Sequence, residues 1–395
     1  EYMPAFALYD DFATQRMTAR DLLCHRSGLP RHDTMWYHSP FTRQELFERL
    51  HHLEPTADFR TKWQYQNLMY VVAGMLVEKI TGDTWEAFAQ THILAPLGMI
   101  NSNFSVDDTQ KTDDFALPYE ARGEDIHNIP FVKNLNYIAP AGALNSNIND
   151  MLNWLNVHLS QGLHGDTRFV QESTLNTMHT PQMIVDDPTR NELLGEPFVN
   201  YGLGWFVQSF RGHQMIYHGG AIDGFSTRAA LLPDNEIAIF ITCNLDGCAL
   251  PGIVMYTLCD HILGLDPLNW HQKAKVIVER DHREAFDLLE KSSKARITDT
   301  SPSHPLKSYT GGYTHPAYGT INITMSDENT LQAHYNHRVS AIEHYHYDIF
   351  DLVLDRYPQI RLKLSFHTNT NGDISQVTVP LQEGAKDIIF RRIAS

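Results

Sequence analysis

The 395 residues carry 31 lysines and arginines against 47 aspartates and glutamates, a formal net charge of −16 at pH 7. This excess of negative charge disfavours binding to nucleic acid and to anionic lipid, and it suits neutral or cationic small substrates. With 42% hydrophobic residues the chain can form two or three domains of ordinary size, and because no run of 18 apolar residues exists, no membrane-spanning helix is predicted.

The four cysteines, Cys24, Cys243, Cys248 and Cys259, lack the paired C-x-x-C spacing of a zinc site. They are also too few for a disulfide framework, so they are predicted to be buried thiols. No H-E-x-x-H zinc motif or complete dinucleotide fingerprint is present. The sequence therefore predicts no metal and no cofactor, and it does not separate export to the periplasm or medium from a cytoplasmic location.

A tyrosine stands where a loop is predicted to enter a helix. Tyr65 and Asn67 directly precede an apolar run from Leu68 to Ile80, which Gly82 closes. The positive end of a helix dipole favours an anion, so a phenol placed there is a candidate general base. The ordinary alternative is an entry loop in which Asn67 is only the helix cap.

The middle of the chain changes from helical to strand patterns. A capping signal at Asp83-x-x-Glu86 predicts a second helix, and residues 86–165 have helix-and-loop character. Four antiparallel strands are then predicted, followed by a helix over 251–263; the strands are Gly202–Phe210, Gln214–Tyr217, Phe225–Leu232 and Glu236–Cys243. This pattern predicts an α/β (α+β) domain, a sheet flanked by helices with a helical subdomain beside it.

A second motif follows the predicted strand end at Tyr217. His218, Gly219, Gly220, Ala221 and then Asp223 come directly after it, and glycines beside a strand allow a substrate to approach the backbone closely. A glycine-rich turn between two strands is the ordinary alternative.

The last third of the chain is predicted to be a separate β domain. A charged helical connector and a proline-bearing linker occupy residues 270–302, and Asn371-Gly372 between two alternating segments is a strong hairpin signal. An all-β barrel over residues 303–395 is the natural interpretation. Its histidines, His334, His337, His344 and His346, are interpreted as filling the barrel or its rim, and a metal site is the weaker alternative.

Five segments, taken in order, resemble the serine β-lactamase and penicillin-binding-protein superfamily. They are residues 17–30 (M-T-A-R-D-L-L-C-H-R-S-G-L-P), the Tyr65-x-Asn67 pair, residues 93–99 (I-L-A-P-L-G-M), residues 140–144 (P-A-G-A-L) and the His218-Gly219-Gly220 segment. The first, third and fourth resemble the class C-like, or CubicO, branch. Residues 309–319 and 343–350 resemble the lipocalin-like domain appended to some peptidases of that branch. The resemblance implies a β-lactamase/transpeptidase-like hydrolase domain over residues 1–269 and a lipocalin-like barrel after the connector.

The chain departs from this family at its nucleophile. The family acylates a serine one helical turn before a lysine, but no lysine of the 395 residues has a serine three positions before it. Residues 2–10 resemble the stretch that follows the S-x-x-K helix in the family. The serine and lysine are therefore expected to lie upstream of residue 1.

The resemblance implies an acyl-enzyme mechanism on amide or ester bonds. Tyr65 would share proton transfer with the lysine, and Asn67 would hydrogen-bond the lysine or the substrate. The N–H of Ala221, beside Gly219 and Gly220, would supply an oxyanion donor. His218 stands where the family has the lysine of K-T-G, so a permanent charge and a hydroxyl that engage a substrate carboxylate are missing.

Peptidase activity, of the aminopeptidase, D-aminopeptidase or endopeptidase kind, is therefore expected ahead of esterase and β-lactamase activity, with Asp223 as a possible anchor for a substrate amine. A non-catalytic ligand-binding protein is the alternative of another class. The expected partner is a small peptide, amide or ester, and self-association is possible. The barrel is expected to tune access or assembly without supplying catalytic groups.

Overall fold

The structure is a computed structural model that describes residues 2–133, 135–186, 198–354 and 360–394. In that part of the chain no helix is both long and apolar enough to cross a bilayer. The described residues form a helical region, a six-stranded sheet and a closed β-barrel.

The helices of the described residues are numbered α1 to α12 in chain order. A single π-helical turn, Gln90–Leu94, extends α6. Their bounds are Asp11–Arg16, Ala19–Leu23, Asp33–Trp36, Arg43–Arg49, Asn67–Thr81, Trp85–Ala89, Val106–Thr109, Ala139–Gly142, Ile148–Leu159, Glu172–His179, Leu250–Ile262 and Trp270–Ala295.

The strands are numbered β1 to β18. Two short hairpins, β1–β2 and β3–β4, lie outside the main sheet. The bounds are Tyr119–Arg122, Asp125–Asn128, Leu163–His164, Thr167–Arg168, Met183–Val185, Val199–Tyr201, Phe206–Phe210, His213–Ile222, Phe225–Leu232, Ile237–Cys243, Gly311–His315, Gly319–Met325, Leu331–Tyr335, Arg338–His346, Ile349–Val353, Arg361–Thr368, Ile374–Val379 and Ile388–Arg392.

The main sheet has the antiparallel order β10-β9-β8-β7-β6-β5 and is covered by helices on both faces. On one face Phe210 stacks on Tyr256 of α11 at 5.5 Å between ring centroids. On the other, Ile216 and Leu231 pack with Leu155 of α9. Alternating side chains of each strand thus reach two separate cores, which confirms the predicted sheet flanked by helices.

The strand bounds differ from the prediction at one functional point. We expected a strand over Gln214–Tyr217 and the glycines after its end, but β8 runs from His213 to Ile222. The segment from His218 to Ile222 continues the strand because it pairs residue by residue with β9, from His218↔Ala229 to Ile222↔Phe225. The candidate residues therefore lie on a strand edge and not in a turn.

The helix that follows Tyr65 is observed as α5, Asn67–Thr81, one residue away from the predicted bounds at each end. Gly82 ends it with a left-handed φ of 81°, the usual glycine cap. Midway along α5, Gly74 lies against Pro140 of α8, where a Cβ would be 2.2 Å from the proline Cγ. This close approach ties the helix behind Tyr65 to the P-A-G-A-L segment.

The barrel closes in the order β11 to β18, inside the predicted range of residues 303–395. Large side chains that are fully or almost fully buried fill its interior, among them Tyr309, Tyr313, Phe350, Phe366 and Phe390. The barrel is therefore a packed core, as expected for eight strands.

The four barrel histidines do not converge. His334 contacts the Thr324 hydroxyl, His344 donates to the Tyr347 carbonyl, and His346 accepts from the Ile297 N–H; His337 lies in the β13–β14 turn with φ 57°. Within the described residues no group of three or more histidine, cysteine or acidic side chains could hold a metal ion.

The barrel shares a hydrophobic core with the helical region. One continuous buried cluster includes Leu46 and Met69 of the helices together with Tyr318 and Phe390 of the barrel. The Tyr335 hydroxyl and the Asn336 amide of the barrel both donate to the Thr34 carbonyl, at 3.1 and 2.8 Å. The barrel is thus packed against the helices and is not held by the connector alone, a feature that the sequence analysis does not anticipate.

The contact between Gly74 and Pro140 gives a stability prediction. Gly74→Ala should lower the free energy of unfolding by about 1–3 kcal/mol, the usual cost of overpacking, although alanine is the better helix former. Gly252→Ala in α11 is the matched control, because no described atom outside its chain neighbours and its own helix backbone lies within 4 Å of the added Cβ. That control should be neutral or stabilising. Urea unfolding of both variants measures the difference, and equal stability would contradict the packing.

Candidate active site

Helix α5 is capped by the residue between the two candidates. Gln66 is the N-cap, and its side-chain oxygen accepts from the Leu68 N–H at 2.9 Å. Asn67 is the first helical residue, so the ordinary interpretation of Asn67 as the cap is wrong. Its side chain instead donates to Asp33 at 3.3 Å, which leaves it directed to the side of the helix that faces the cavity described below.

His25 fixes the backbone on both sides of Tyr65. Its carbonyl accepts from the Gln64 N–H at 2.8 Å, and its Nδ1 accepts from the Gln66 N–H at 3.0 Å. Its ring also lies 4.3 Å from the ring of Tyr65. Since Nδ1 must accept, the proton of the neutral ring is on Nε2. His25 belongs to the residue 17–30 motif, but its neighbours in the sequence give no sign of this role.

Burial keeps His25 neutral. The side chain is almost fully buried, and desolvation, followed by the nearby His218 and Arg31, holds the pKa of His25 well below its ordinary value. A protonated ring would place two donors face to face at Gln66. His25 therefore positions Tyr65 and does not exchange protons in the neutral pH range.

A positive charge lies over the ring of Tyr65. The guanidinium carbon of Arg31 is 4.9 Å from the ring centroid, and Arg31 also pairs with Asp33 at 2.5 Å. A guanidinium in this position favours negative charge on the phenol oxygen while a proton is being transferred. Arg31 is a second contributor that the sequence analysis missed, because its neighbour Pro30 ends the motif.

His218 has a defined tautomer. Its Nδ1 lies 2.7 Å from the Gly219 carbonyl, which can only accept, so Nδ1 carries the proton. Nε2 then accepts from the Tyr201 hydroxyl at 3.2 Å. The ring lies 6.2 Å from that of Tyr65. The two halves of the predicted site are thus brought together across about 150 residues of sequence.

The strand segment after His218 presents backbone groups to an open edge. Strand β7 pairs with β8 only as far as Phe206↔Tyr217, so among the described strands residues 218–222 pair on one side only, with β9. Ile222 and Phe225 close a two-residue turn, and the alternation of an antiparallel pair then directs the N–H of Gly219 and of Ala221 away from β9. The N–H of Ala221 thus points away from β9, which is a necessary condition for the predicted oxyanion role.

The two glycines make room for side chains of the neighbouring strand. A Cβ on Gly219 would lie 1.8 Å from Nη1 of Arg228, and a Cβ on Gly220 would lie 2.7 Å from Oγ1 of Thr227. The Thr227 hydroxyl also accepts from the Gly220 N–H at 3.0 Å. A guanidinium and a hydroxyl are therefore present beside the segment where the sequence analysis expected neither, since both come from β9.

Asp223 is engaged by the protein. The Tyr37 hydroxyl donates to it, the His38 Nε2 lies 3.9 Å from its carboxylate, and Arg338 of the barrel lies 4.0 Å away. A substrate amine would have to compete with these groups. The contact instead ties the β8–β9 turn to the barrel.

All seven predicted site residues line one cavity. Its volume is about 2000 Å³, and the lining includes Tyr65, Asn67, His218, Gly219, Gly220, Ala221 and Asp223. Ser105 and Ser146 are the serines of the described lining. The Ser105 side chain caps α7, and Ser146 contacts the Ser102 hydroxyl at 2.7 Å. Neither contact is made directly to a base, although Ser102 in turn donates to the Asp150 carboxylate at 2.8 Å.

The cysteines are not all buried. Cys24 and Cys259 are buried as predicted, but Cys243 and Cys248 are partly exposed at the end of β10 and in the loop after it. The prediction was wrong for these two because the loop leaves the sheet at the cavity edge, where Asn244 is a lining residue.

Comparison with known proteins agrees with the fold. Residues 1–257 match the model of the Beta-lactamase family. The chain belongs to this family. Residues 295–392, which include the barrel, match a domain of unknown function, DUF3471. The predicted superfamily is confirmed, while the class C-like, or CubicO, assignment stays a prediction.

Several relatives cover much of the chain. Unguisins hydrolase ungD' of Aspergillus campestris is 27% identical over 347 residues, which are 82% of this chain and 62% of that protein. An octameric penicillin-binding protein homologue from Pyrococcus abyssi has a TM-score of 0.53 at 20% identity, covering 95% of this chain and 78% of its own. D-amino acid amidase from Ochrobactrum anthropi SV3 has a TM-score of 0.51 at 23% identity, over 64% and 73%. The chain thus spans less than two thirds of the curated hydrolase, and the solved structures support the fold.

The buried histidines predict acid sensitivity. Burial lowers the pKa of His32 to about 4 and that of His158 to about 3, and the pKa of His25 lies well below its ordinary value. Below about pH 6.5 the unfolded chain takes up protons at these rings and the folded chain does not, so the free energy of unfolding should fall as pH decreases. Each ring contributes a slope of about 1.4 kcal/mol per pH unit until its folded pKa is reached.

Urea unfolding at about pH 7, 6 and 5 measures this slope. His158→Gln should reduce it, and His282→Gln on the exposed surface of α12 should not. A wild-type slope in the His158 variant would contradict the assignment.

Proposed function

We propose that this protein is a serine hydrolase that cleaves amide bonds of small peptides through an acyl-enzyme. The observation that carries the proposal is the meeting of Tyr65 and the open edge of residues 218–222 in one cavity. A proton-transfer group and an oxyanion donor are thereby combined. The family assignment and the similarity to a protein named a hydrolase support the same chemistry.

The serine and lysine of an S-x-x-K motif are proposed to come from a segment outside these 395 residues. Two observations support this: the sequence has no such motif, and among the described residues neither Ser105 nor Ser146 is hydrogen-bonded directly to a base. The cavity is also larger than the roughly 300–1,000 Å³ of an ordinary small-molecule site. It has room for a nucleophile-bearing segment as well as a substrate.

In the proposed reaction the serine oxygen attacks the substrate carbonyl while its proton passes to the lysine and Tyr65. The Ala221 N–H and the N–H of the serine hold the oxyanion. The C–N bond then breaks, the leaving amine takes the proton, and the acyl-enzyme remains. Water, deprotonated by the same groups, attacks the ester, releases the carboxylic acid and restores the serine.

A peptidase is favoured over a β-lactamase because His218 replaces the lysine of K-T-G. The site nevertheless has a cation and a hydroxyl near this position, because Arg228 and Thr227 lie beside the two glycines. The difference from a site with the lysine and threonine of K-T-G is therefore smaller than the sequence suggests. Arg228 and Thr227 are displaced by one strand from the family position, so a substrate carboxylate would be held differently. Esterase activity remains the alternative, because the same acyl-enzyme forms from an ester.

Self-association is proposed as a second property. Helix α12 exposes Val276, Val278, Phe286 and Leu288, and apolar side chains of this size on a solvent-facing helix are unfavourable for an isolated monomer. The octamer is a property of the Pyrococcus abyssi homologue. Light scattering of this protein in solution gives its own oligomeric state.

Tyr65→Phe tests the proton-transfer role. The variant keeps the ring and its contacts with His25 and Arg31 but loses the hydroxyl, so kcat for a chromogenic peptide amide should fall by about 10²–10⁴-fold. Tyr70→Phe is the matched control, because Tyr70 packs against the same His25 ring at 5.1 Å while its hydroxyl donates to the Leu23 carbonyl. The control should lose stability but retain turnover close to wild type. Turnover of the Tyr65 variant at the control's level would refute the role.

An active-site label tests the source of the nucleophile. The protein made from the complete open reading frame should react with a fluorophosphonate at one serine, and peptide mass mapping should locate the adduct outside these 395 residues. An adduct on Ser105 or Ser146 would contradict the assignment. No adduct at any serine would instead favour the non-catalytic binding protein.

A further inference from the structure

The cavity lining includes an aromatic cluster and a set of polar side chains. Phe115, Phe131 and Phe225 form the aromatic wall, and the polar lining includes asparagines at positions 101, 103, 145, 147 and 149. The ring centroids of Phe115 and Phe131 are 6.0 Å apart, and those of Phe131 and Phe225 are 6.1 Å apart in a stacked arrangement. All three side chains are only half-buried, so part of each ring faces the cavity.

The aromatic wall is held in place by specific contacts. Gly224 has a φ of +86°, and a Cβ there would lie 2.2 Å from the Cβ of Pro118, so the β8–β9 turn packs directly on the loop after Phe115. The side chain of Asn244 donates to the Leu117 carbonyl at 3.1 Å. The Ile129 N–H donates to the Pro118 carbonyl at 3.0 Å, which brings the segment before Phe131 to the same place. The three rings therefore form a preorganised surface, although they come from three separate segments.

The position of the aromatic wall indicates which part of the substrate, the acyl part or the leaving amine, lies against it. Phe225 pairs with Ile222, one residue beyond the oxyanion candidate Ala221, whereas Tyr65 lies beside His218 at the other end of the segment. The distance from His218 to Ile222 is about 13 Å at the rise of a β-strand. Tyr65 must reach the leaving amine, so the acyl part of the substrate extends toward Phe225.

We propose that Phe115, Phe131 and Phe225 form a subsite for a large apolar side chain, preferably aromatic, on the residue whose carbonyl is attacked. The orientation of the substrate in this proposal rests on the proposed amide hydrolysis. The kind of side chain that is bound is inferred from the aromatic wall. An aromatic side chain fits because rings at centroid distances of 4.5–7 Å attract one another beyond simple burial of area. Removal of its surface from water adds to this preference.

The test compares substrates that differ only in the acyl residue. The p-nitroanilides of phenylalanine and alanine, in both D and L forms, are offered to the protein made from its complete open reading frame. For the accepted stereoisomer, kcat/KM should favour phenylalanine by at least about tenfold. Equal rates, or a preference for alanine, would overturn the subsite.

Three variants connect the preference to the wall. Phe131→Ala removes the central ring and should abolish most of the preference by slowing the phenylalanine substrate, while the alanine substrate keeps its rate. Phe131→Leu keeps an apolar surface and should therefore retain part of the preference for the phenylalanine substrate. Phe12→Ala, an equal truncation at an exposed phenylalanine of α1 that does not line the cavity, is the control and should change neither rate.

Binding separates the subsite from the chemistry. N-acetylphenylalanine amide and N-acetylalanine amide are titrated into Tyr65→Phe protein and observed by nuclear magnetic resonance. Tighter binding of the phenylalanine amide, lost in Tyr65→Phe/Phe131→Ala, supports the subsite even if no anilide is hydrolysed, in which case only the proposed hydrolase activity fails. Hydrolysis with an unchanged phenylalanine preference in Phe131→Ala refutes the subsite and leaves the hydrolase standing.

Discussion

The arrangement of the site depends on the hydrogen bond and ring contacts that the neutral imidazole of His25 makes. It accepts from the Gln66 N–H at 3.0 Å and lies between the ring of Tyr65 and that of Tyr201, at 4.3 and 5.0 Å. Tyr201 in turn donates to His218. One buried ring thereby connects the entrance of α5 to the open strand of the sheet. A protonated ring could not accept the hydrogen bond. Burial disfavours protonation of His25 and thereby preserves this hydrogen bond.

The barrel also contacts the elements that form the site. Its strands share a core with the helices, and Arg338 approaches Asp223 at the turn that separates Ala221 from Phe225. A second contact is made by the loop before β18, where Gln382 accepts from the His32 N–H at 2.5 Å and lines the cavity. The barrel therefore borders the site. Such an arrangement suits control of which substrates enter.

Gly219 and Gly220 have a different role in the structure from the one that the sequence suggests. In the sequence they suggest access of a substrate to the backbone. In the structure the space above them is occupied by the Arg228 and Thr227 side chains of β9, and access comes from the edge of residues 218–222 that pairs with none of the described strands. Arg228 thus places a cation beside the glycines, which is compatible with the proposed replacement of the family lysine by His218.

The sequence alone indicated the family, the α5 helix, four of the six strands of the main sheet and the barrel, and it proposed Tyr65 and His218 as site residues. These follow from local periodicity, glycine and turn signals and motifs with fixed spacing, which are written in neighbouring residues. The sequence did not predict β5 and β6, which are only three residues long. Only the tertiary structure decided that His218 continues a strand, that His25 holds Tyr65, that Asp223 is engaged by Arg338, and that three phenylalanines share a wall. Each of these depends on contacts between residues far apart in the chain, such as positions 25 and 66, 223 and 338, or 131 and 225. Local sequence does not encode such distances, because they are set by how the elements pack.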